Sequence, residues 1–215
     1  MPPSRYRNRQ QAGTALAEKL LPYREEDTLV LAVPRGGVPV AVPVVRALAS
    51  ELDLIIPRKI ATPRQPELAV GAVCEDGDVL LNHQLVSYFK LSREEISRLA
   101  AKEVAEIKRR LLLYRGGRPP APVGGRTVIV IDDGVATGFT ITAALRSVRR
   151  RRPQKLILAV PVAPPDTVEK LSREADVLVC PLQPELFGAV GQFYDDFAQL
   201  TDEEVINYLA AAGSQ

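Results

Sequence analysis

The residue types best suited to chemistry lie in one segment, residues 127–140, with the sequence TVIVIDDGVATGFT. Apolar residues lead into two adjacent carboxylates, Asp132 and Asp133, and small, hydroxylated and glycine residues follow. Carboxylates accept hydrogen bonds from the vicinal hydroxyls of a ribose. Free backbone N–H groups at the start of a helix favour a phosphate, and glycine lets the backbone approach the phosphate oxygens. The segment therefore predicts a site for a ribose 5-phosphate group.

The order of residues in this segment assigns a role to each part. We expect Asp132 and Asp133 to hold the ribose hydroxyls, directly or through water and metal. The turn and helix start that follow are expected to bind the phosphate. These phosphate-binding residues are Val135, Ala136, Thr137, Gly138, Phe139 and Thr140.

Other interpretations of the acid pair explain less of the segment. The Walker B strand of a P-loop ATPase also ends in acids, but the chain contains no GxxxxGK[ST] sequence. A haloacid-dehalogenase-type phosphatase needs two aspartates separated by one residue, whereas Asp132 and Asp133 are adjacent. Helix capping explains one aspartate, but neither the second nor the glycine and threonine residues after it.

A mostly parallel α/β sheet is predicted to position these residues. The expected strands cover about 28–33, 53–57, 127–131, 156–162 and 177–180. Because helices alternate with most of these strands, we expect right-handed crossovers and one domain over residues 1–215. Ligands of such sheets bind at the carboxyl ends of the strands, where helix N-termini converge.

Between the second and third of these strands the pattern changes. The basic, proline-containing sequence RKIATPRQP predicts a loop, and Asp76-Gly77 predicts a tight hairpin. Ser92 with Glu95 predicts a capping box that opens a long charged helix ending near Tyr114.

Composition excludes several classes of function. The net charge of +2 is too small to indicate nucleic acid or an anionic membrane as the main partner. The basic run 149–152 is interpreted as a solvated helix end. No stretch approaches the roughly 18 apolar residues of a membrane span. Cys74 and Cys180 form neither a metal-type pair nor a disulfide framework, which favours a reducing cytosol, and the single histidine, His83, argues against a histidine-based metal site.

The sequence IDDGVATGFT resembles the 5-phosphoribosyl-1-diphosphate (PRPP) binding motif of the type I phosphoribosyltransferases. A second sequence, VPRGG at 33–37, is similar to the family's pyrophosphate loop, which often contains a strained or cis non-proline peptide. Two glycines after a strand leave amides directed at an anion, and an arginine adds charge. The resemblance implies that Arg35, Gly36 and Gly37 bind the pyrophosphate.

Members of this family also close a flexible loop over the diphosphate and cover the base with a small hood. The resemblance implies such a loop at about 58–67, with Arg58, Lys59 and Arg64 near the leaving group. It implies a hood at about 181–200. Three aromatic residues there either stack on the acceptor or pack the core beneath the hood: Phe187, Phe193 and Tyr194.

The implied reaction transfers the phosphoribosyl group from PRPP to a nitrogenous acceptor, expected to be a nucleobase, and releases pyrophosphate. Mg²⁺ is expected to bridge ribose and diphosphate oxygens beside Asp132 and Asp133, and Lys59 is expected to join this pair in catalysis. Ala136 stands where hypoxanthine-guanine members place an aspartate, which argues against a 6-oxopurine acceptor. The resemblance also implies a homodimer.

A non-catalytic PRPP sensor is the alternative function. It would keep the acid pair and the phosphate loop, because both functions need PRPP to bind. It would not need a pyrophosphate loop or a basic closing loop, so the presence of both sequences favours an enzyme.

Overall fold

The computed structural model of the protein describes residues 4–62, 65 and 68–212. Its strands are β1 (Thr28–Ala32), β2 (Glu51–Leu54), β3 (Arg58–Ala61), β4 (Ala69–Val73), β5 (Val79–Leu81), β6 (Thr127–Ile131), β7 (Lys155–Ala159) and β8 (Val177–Val179). Its helices are α1 (Arg9–Leu20), α2 (Gly37–Leu48), α3 (His83–Phe89), α4 (Arg93–Arg115), α5 (Phe139–Arg150), α6 (Pro165–Leu171) and α7 (Asp202–Ala212). Short 3-10 turns occupy Leu21–Tyr23 and Val190–Phe193.

Five parallel strands form the central sheet in the order β2-β1-β6-β7-β8. Strands β1 and β6 pair residue for residue, from Thr28 with Thr127 to Ala32 with Ile131. Every residue of both strands is buried. Strands covered on both faces are continuous apolar runs, because helices exclude water from each side. The predicted parallel α/β fold is confirmed, and β6, which leads into the acid pair, lies at its centre.

Alternate side chains of β6 enter two different cores, as the period of two in a strand requires. Ile129 and Ile131 pack with residues of α1 and α2 on one face of the sheet. Val128 and Val130 pack with residues of α5 on the other face. The helices thus hold β1 and β6 at the same level, so that the loops following both strands emerge side by side.

A second, antiparallel sheet has the order β3-β4-β5. The predicted hairpin is confirmed, since β4 and β5 pair on either side of Gly77, whose φ of 79° is left-handed. The prediction of a loop was wrong for residues 58–61, which form β3 and pair with β4. Ile60 is fully buried there, so long-range pairing outweighs a local sequence that carries no strand pattern. The predicted position of Arg64 lies outside the described residues.

The long helix α4 begins with the predicted capping box. The Ser92 side chain accepts from the Glu95 N–H, and the Glu95 side chain accepts from the Ser92 N–H. Gly116 ends the helix in a left-handed conformation with a φ of 58°. None of the helices in the described part of the chain has both the length and the apolar content to cross a membrane.

A buried ion pair attaches the end of α4 to the central sheet. Arg115 donates from Nε and Nη2 to the two carboxylate oxygens of Asp53, at 2.8 and 3.1 Å. Asp53 also accepts from the backbone N–H of Ala121 at 2.9 Å, on the segment that leads into β6. Both side chains are at most 10% exposed. The pair therefore fixes where the chain returns to the sheet before it forms the candidate site.

We expect Arg115→Met to lower the free energy of unfolding by about 3–5 kcal/mol, because it leaves the Asp53 charge buried without its partner. Arg109→Met is the control on the same helix, because its side chain is 58% exposed and its ion pair is worth about 1 kcal/mol or less. Urea unfolding of the two variants measures the difference. Equal losses would show that the buried pair has no special role.

Candidate functional site

Two loops meet at the carboxyl edge of the central sheet, one after β1 and one after β6. A Cβ atom on Gly36 would collide with the carboxylate of Asp133, so a glycine at this position allows the two loops to approach closely. The peptide bond between Pro34 and Arg35 is cis, as the resemblance implied for this loop. The predicted VPRGG loop and the predicted acid pair are therefore direct neighbours.

The loop after β6 presents a row of free backbone donors. Within the described part of the chain, the N–H groups of residues 136–141 have no hydrogen-bond partner. Gly138 caps α5 in a left-handed conformation with a φ of 77°, and the positive end of the α5 dipole adds to these amides. Thr167 holds the loop by donating from Oγ1 to the Ala136 carbonyl at 2.7 Å. This is the geometry of an anion site at a helix N-terminus.

The two carboxylates stand next to this row of amides. The Asp133 N–H donates to Oδ1 of Asp132 at 2.8 Å. Burial raises the pKa of Asp132 well above its usual value, and the neighbouring Asp133 charge raises it further. Burial also raises the pKa of Asp133, but a hydrogen bond from Arg9 opposes this shift. The two carboxylates thus concentrate negative charge, and the positive charge of Arg9 partly balances that of Asp133.

The compensating residue, Arg9, was missed by the sequence reasoning. It is the first residue of α1, and its Nε donates to Oδ2 of Asp133 at 2.8 Å. Its Nη1 donates to the Ala198 carbonyl at 2.9 Å, and its guanidinium lies 3.9 Å from the ring centroid of Phe197. A basic residue near the start of the chain gives no sign of a carboxylate partner 124 residues away.

The tail that follows β8 packs against the acid pair. Tyr194 donates from its hydroxyl to the Asp133 carbonyl at 2.6 Å, and its ring lies 5.7 Å from that of Tyr6. Phe187 stacks on Phe193 with ring centroids 5.1 Å apart. Phe193 and Tyr194 are both buried. For these two residues the structure favours packing beneath the tail, whereas the half-buried Phe187 keeps both predicted alternatives open.

The basic residues predicted near the leaving group lie in different surroundings. Arg35 donates from Nη1 to the Leu200 carbonyl, and its Nε lies 3.3 Å from Oδ1 of Asp202 at the start of α7. Arg58 forms an ion pair with Glu103 of α4, and Lys59 is exposed on β3. Of these three residues, Arg35 lies beside Gly36 because it precedes it in the chain. The roles of Arg58 and Lys59 near the leaving group stay predictions.

Acidic partners surround the basic run 149–152. Arg149 makes two hydrogen bonds to Asp176, both at 2.9 Å. Arg150 pairs with Asp76 and Asp78, each at 2.6 Å. The run contributes mainly to local ion pairs at the end of α5, as expected of a helix C-terminus.

Comparison with known proteins identifies the family. The model of the phosphoribosyl transferase domain matches residues 5–198. This chain belongs to the phosphoribosyl transferase family. It is 41% identical over 205 residues to a protein of Mycobacterium tuberculosis strain H37Rv that is named as a provisional phosphoribosyl transferase. That match covers 95% of this chain and 46% of the relative, and the protein of strain CDC 1551 gives the same figures. The chain thus spans about half the length of these relatives.

Solved structures share the fold of this chain. The protein TT1426 from Thermus thermophilus is 42% identical, with a TM-score of 0.82 over 96% of this chain and 98% of that chain. The AQ2163 protein from Aquifex aeolicus is 13% identical, with a TM-score of 0.52 over 85% of this chain and 78% of that chain. At that identity the second match shows the fold alone. Both matches agree with the parallel sheet and flanking helices of this chain.

The acid pair of this chain predicts effects of different size for two isosteric changes. Because the folded state raises the pKa of Asp132, its carboxyl contributes stability at acid pH that is lost as the pH rises. Asp132→Asn should therefore raise the melting temperature of the ligand-free protein at pH 7, by about 2–4 °C for each kcal/mol relieved. The gain should vanish below about pH 4, where the wild-type carboxyl is also neutral.

Asp133→Asn is the matched comparison. It should raise the melting temperature at pH 7 by less than Asp132→Asn does, because burial also raises the pKa of Asp133 but the hydrogen bond from Arg9, only 12% exposed, opposes that shift. Thermal unfolding of both variants between pH 4 and 7 tests the pair. A gain at pH 7 that is as large for Asp133→Asn as for Asp132→Asn would contradict this account of the electrostatics.

Proposed function

We propose that this protein transfers the 5-phosphoribosyl group of PRPP to a nitrogenous acceptor, with a nucleobase as the expected class, and releases pyrophosphate. One observation carries the proposal. Two carboxylates sit between a row of free amides at residues 136–141 and the glycine loop at residues 36–37. This order, anion site, hydroxyl acceptors, anion site, matches the order of phosphate, ribose and diphosphate in PRPP.

Each part of the site has a role in this reaction. The amides of residues 136–141 and the hydroxyls of Thr137 and Thr140 would bind the 5-phosphate. Asp132 and Asp133 would accept hydrogen bonds from the ribose hydroxyls. The backbone of Arg35 and Gly36 would bind the diphosphate, since their N–H groups have no partner within the described part of the chain. Lys59 would act beside the leaving pyrophosphate.

Charge explains how this arrangement would promote the reaction. Departure of pyrophosphate leaves positive charge on the ribosyl group, and the carboxylates beside it are fixed before the reaction starts. Fixed charges of this kind stabilise a transition state without the cost of reorganising solvent. Amides and guanidinium groups at the other end would stabilise the negative charge of the departing pyrophosphate.

The acid pair fits a magnesium ion only in part. The described residues contain no group of three or more His, Cys, Asp or Glu side chains that could hold a metal ion. The protein alone therefore supplies too few side chains there, and a bound substrate would have to complete the coordination. Two adjacent carboxylates supply the hard oxygens that Mg²⁺ prefers, and Mg²⁺ commonly takes its remaining ligands from substrate phosphates and water. Asp132 and Asp133 would hold the ion together with PRPP, and the ion would supply positive charge beside the diphosphate.

One feature bears on the class of acceptor and another on the cellular compartment. Ala136 supplies no carboxylate at the position where a base for 6-oxopurines would stand, which favours other acceptors. Both Cys74 and Cys180 are free thiols, which supports a cytosolic setting.

Binding of PRPP is tested by thermal unfolding. PRPP with Mg²⁺, at about 100 times its Kd, should stabilise the protein by about 2.7 kcal/mol. The double change Asp132→Asn with Asp133→Asn should abolish this shift, because the ribose loses both acceptors. Glu18→Gln with Glu25→Gln is the control, since it also removes two carboxylates and both side chains are exposed. If the wild-type protein shows no shift, the proposed site is wrong.

Catalysis is tested separately from binding. Incubation of the protein with PRPP, Mg²⁺ and a panel of nucleobases should release pyrophosphate with at least one base. We expect weaker release with hypoxanthine and guanine than with the preferred base, because Ala136 offers no proton acceptor. A protein that binds PRPP but releases no pyrophosphate with any base is a PRPP sensor and not a transferase.

A further inference from the structure

A cavity of about 260 Å³ opens beside the glycine loop. Its lining consists of Arg9, Arg35, Gly36, Arg110, Gln199 and Leu200. Three of these six residues carry a guanidinium and none carries a carboxylate. At about 30 Å³ for each liquid water, the cavity has room for roughly eight waters, and therefore for a diphosphate group.

The cavity adjoins the acid pair through two of its lining residues. Arg9 donates to Oδ2 of Asp133, and Gly36 packs against the same carboxylate. A ribose held at the acid pair would therefore place its diphosphate at or near the cavity. Arg35 and Gly36 both line the cavity, and their backbone N–H groups have no partner among the described residues.

Each guanidinium in the lining has more N–H donors than it uses in hydrogen bonds to the described residues. A guanidinium carries five N–H donors. Within the described part of the chain, Arg110 makes one hydrogen bond, from Nε to Oε1 of Glu106 at 2.7 Å. Arg9 uses Nε and Nη1, and Arg35 donates from Nη1. The acids that pair with these arginines, Asp133, Asp202 and Glu106, do not line the cavity.

We propose that Arg110, on α4, is a binding residue for the diphosphate of PRPP and for the pyrophosphate that is released. It acts together with Arg9, Arg35 and the backbone of Gly36. The planar fork of arginine matches two phosphate oxygens at once, so two or three such groups around one cavity select a dianionic or more highly charged ligand. This inference rests on the proposed function. It adds Arg9 and Arg110, which lie on α1 and α4, outside the two loops predicted from the sequence. Lys59 is absent from the lining of this cavity.

The chain contains a matched control at the neighbouring position. Arg109 also pairs with Glu106, through Nε at 2.7 Å and Nη2 at 3.0 Å. Its side chain is 58% exposed, compared with 23% for Arg110, and it does not line the cavity. Loss of either arginine removes an ion pair with the same glutamate, so only Arg110 should affect the binding of a diphosphate.

The experiment compares Arg110→Gln with Arg109→Gln in the full chain. Dissociation constants are measured, with Mg²⁺ present, for PRPP, for pyrophosphate and for ribose 5-phosphate. Arg110→Gln should weaken PRPP and pyrophosphate about tenfold or more, the effect of one lost charge-assisted hydrogen bond. Ribose 5-phosphate has no diphosphate, so its affinity should stay within about twofold. Arg109→Gln should leave all three affinities unchanged.

The outcomes separate this inference from the proposed function. Tight binding of PRPP with equal affinity in both variants overturns the role of Arg110 alone. An equal loss for ribose 5-phosphate in Arg110→Gln also overturns it, because the change then disturbs the whole site. Failure of the wild-type protein to bind either PRPP or pyrophosphate overturns both proposals. Pyrophosphate binding that depends on Arg110, without PRPP binding, supports the anion site and refutes the proposed function.

A second pair of variants guards against misfolding. Arg110→Lys keeps the charge but not the fork, so it should recover part of the pyrophosphate affinity that Arg110→Gln loses. Arg109→Lys is its control. Lack of any recovery, in a protein with a wild-type melting temperature, would show that the loss in Arg110→Gln does not come from the missing charge.

Discussion

At the carboxyl edge of the central sheet, the backbone of Gly36 lies against the Asp133 carboxylate with no room for a side chain between them. This contact requires β1 and β6 to be adjacent, parallel and in register, because only then do their following loops emerge at one level. It also buries a charge, and a buried charge needs a partner. Arg9 supplies that partner, and Arg9 is in turn held by Ala198 and Phe197 of the tail. The first helix and the tail are therefore both parts of the site.

Charges along the proposed ligand alternate in sign. Free amides and a helix N-terminus provide positive potential at residues 136–141, the acid pair provides negative potential, and the arginine-lined cavity is positive again. In the ligand-free protein the acid pair is costly, since burial raises the pKa of both carboxyls. In the proposed function, that cost is the consequence of burying two carboxylates where a ribose would bind. The Arg9 contact limits it to a level that the fold tolerates.

Local patterns predicted the parts of this structure that are themselves local. The strand, acid pair and glycine turn of residues 127–140 are contiguous, so their sequence alone indicated a loop and a helix start at the end of a central strand. The capping box at Ser92 and the hairpin at Gly77 are local in the same sense. Strand β3, by contrast, depends on pairing with β4, and RKIA carries no alternation that marks a strand. Arg9 and Arg110 gain their place only through contacts between distant elements, and neither has a sequence signal.

The two anion sites differ in construction, and the proposed reaction gives a physical reason. The 5-phosphate stays on the ribosyl group from substrate to product, so fixed amides can hold it throughout, and fixed donors need no reorganisation. Pyrophosphate must bind, accumulate charge and then leave. Arginine side chains from α1, the glycine loop and α4 can change their hydrogen bonds during these steps, since each already shares its donors with a nearby acid or carbonyl group. When pyrophosphate departs, the arginines would again donate all their hydrogen bonds to these protein acceptors, which are Asp133, Leu200 and Glu106. Release would then leave none of the three guanidinium groups without a partner.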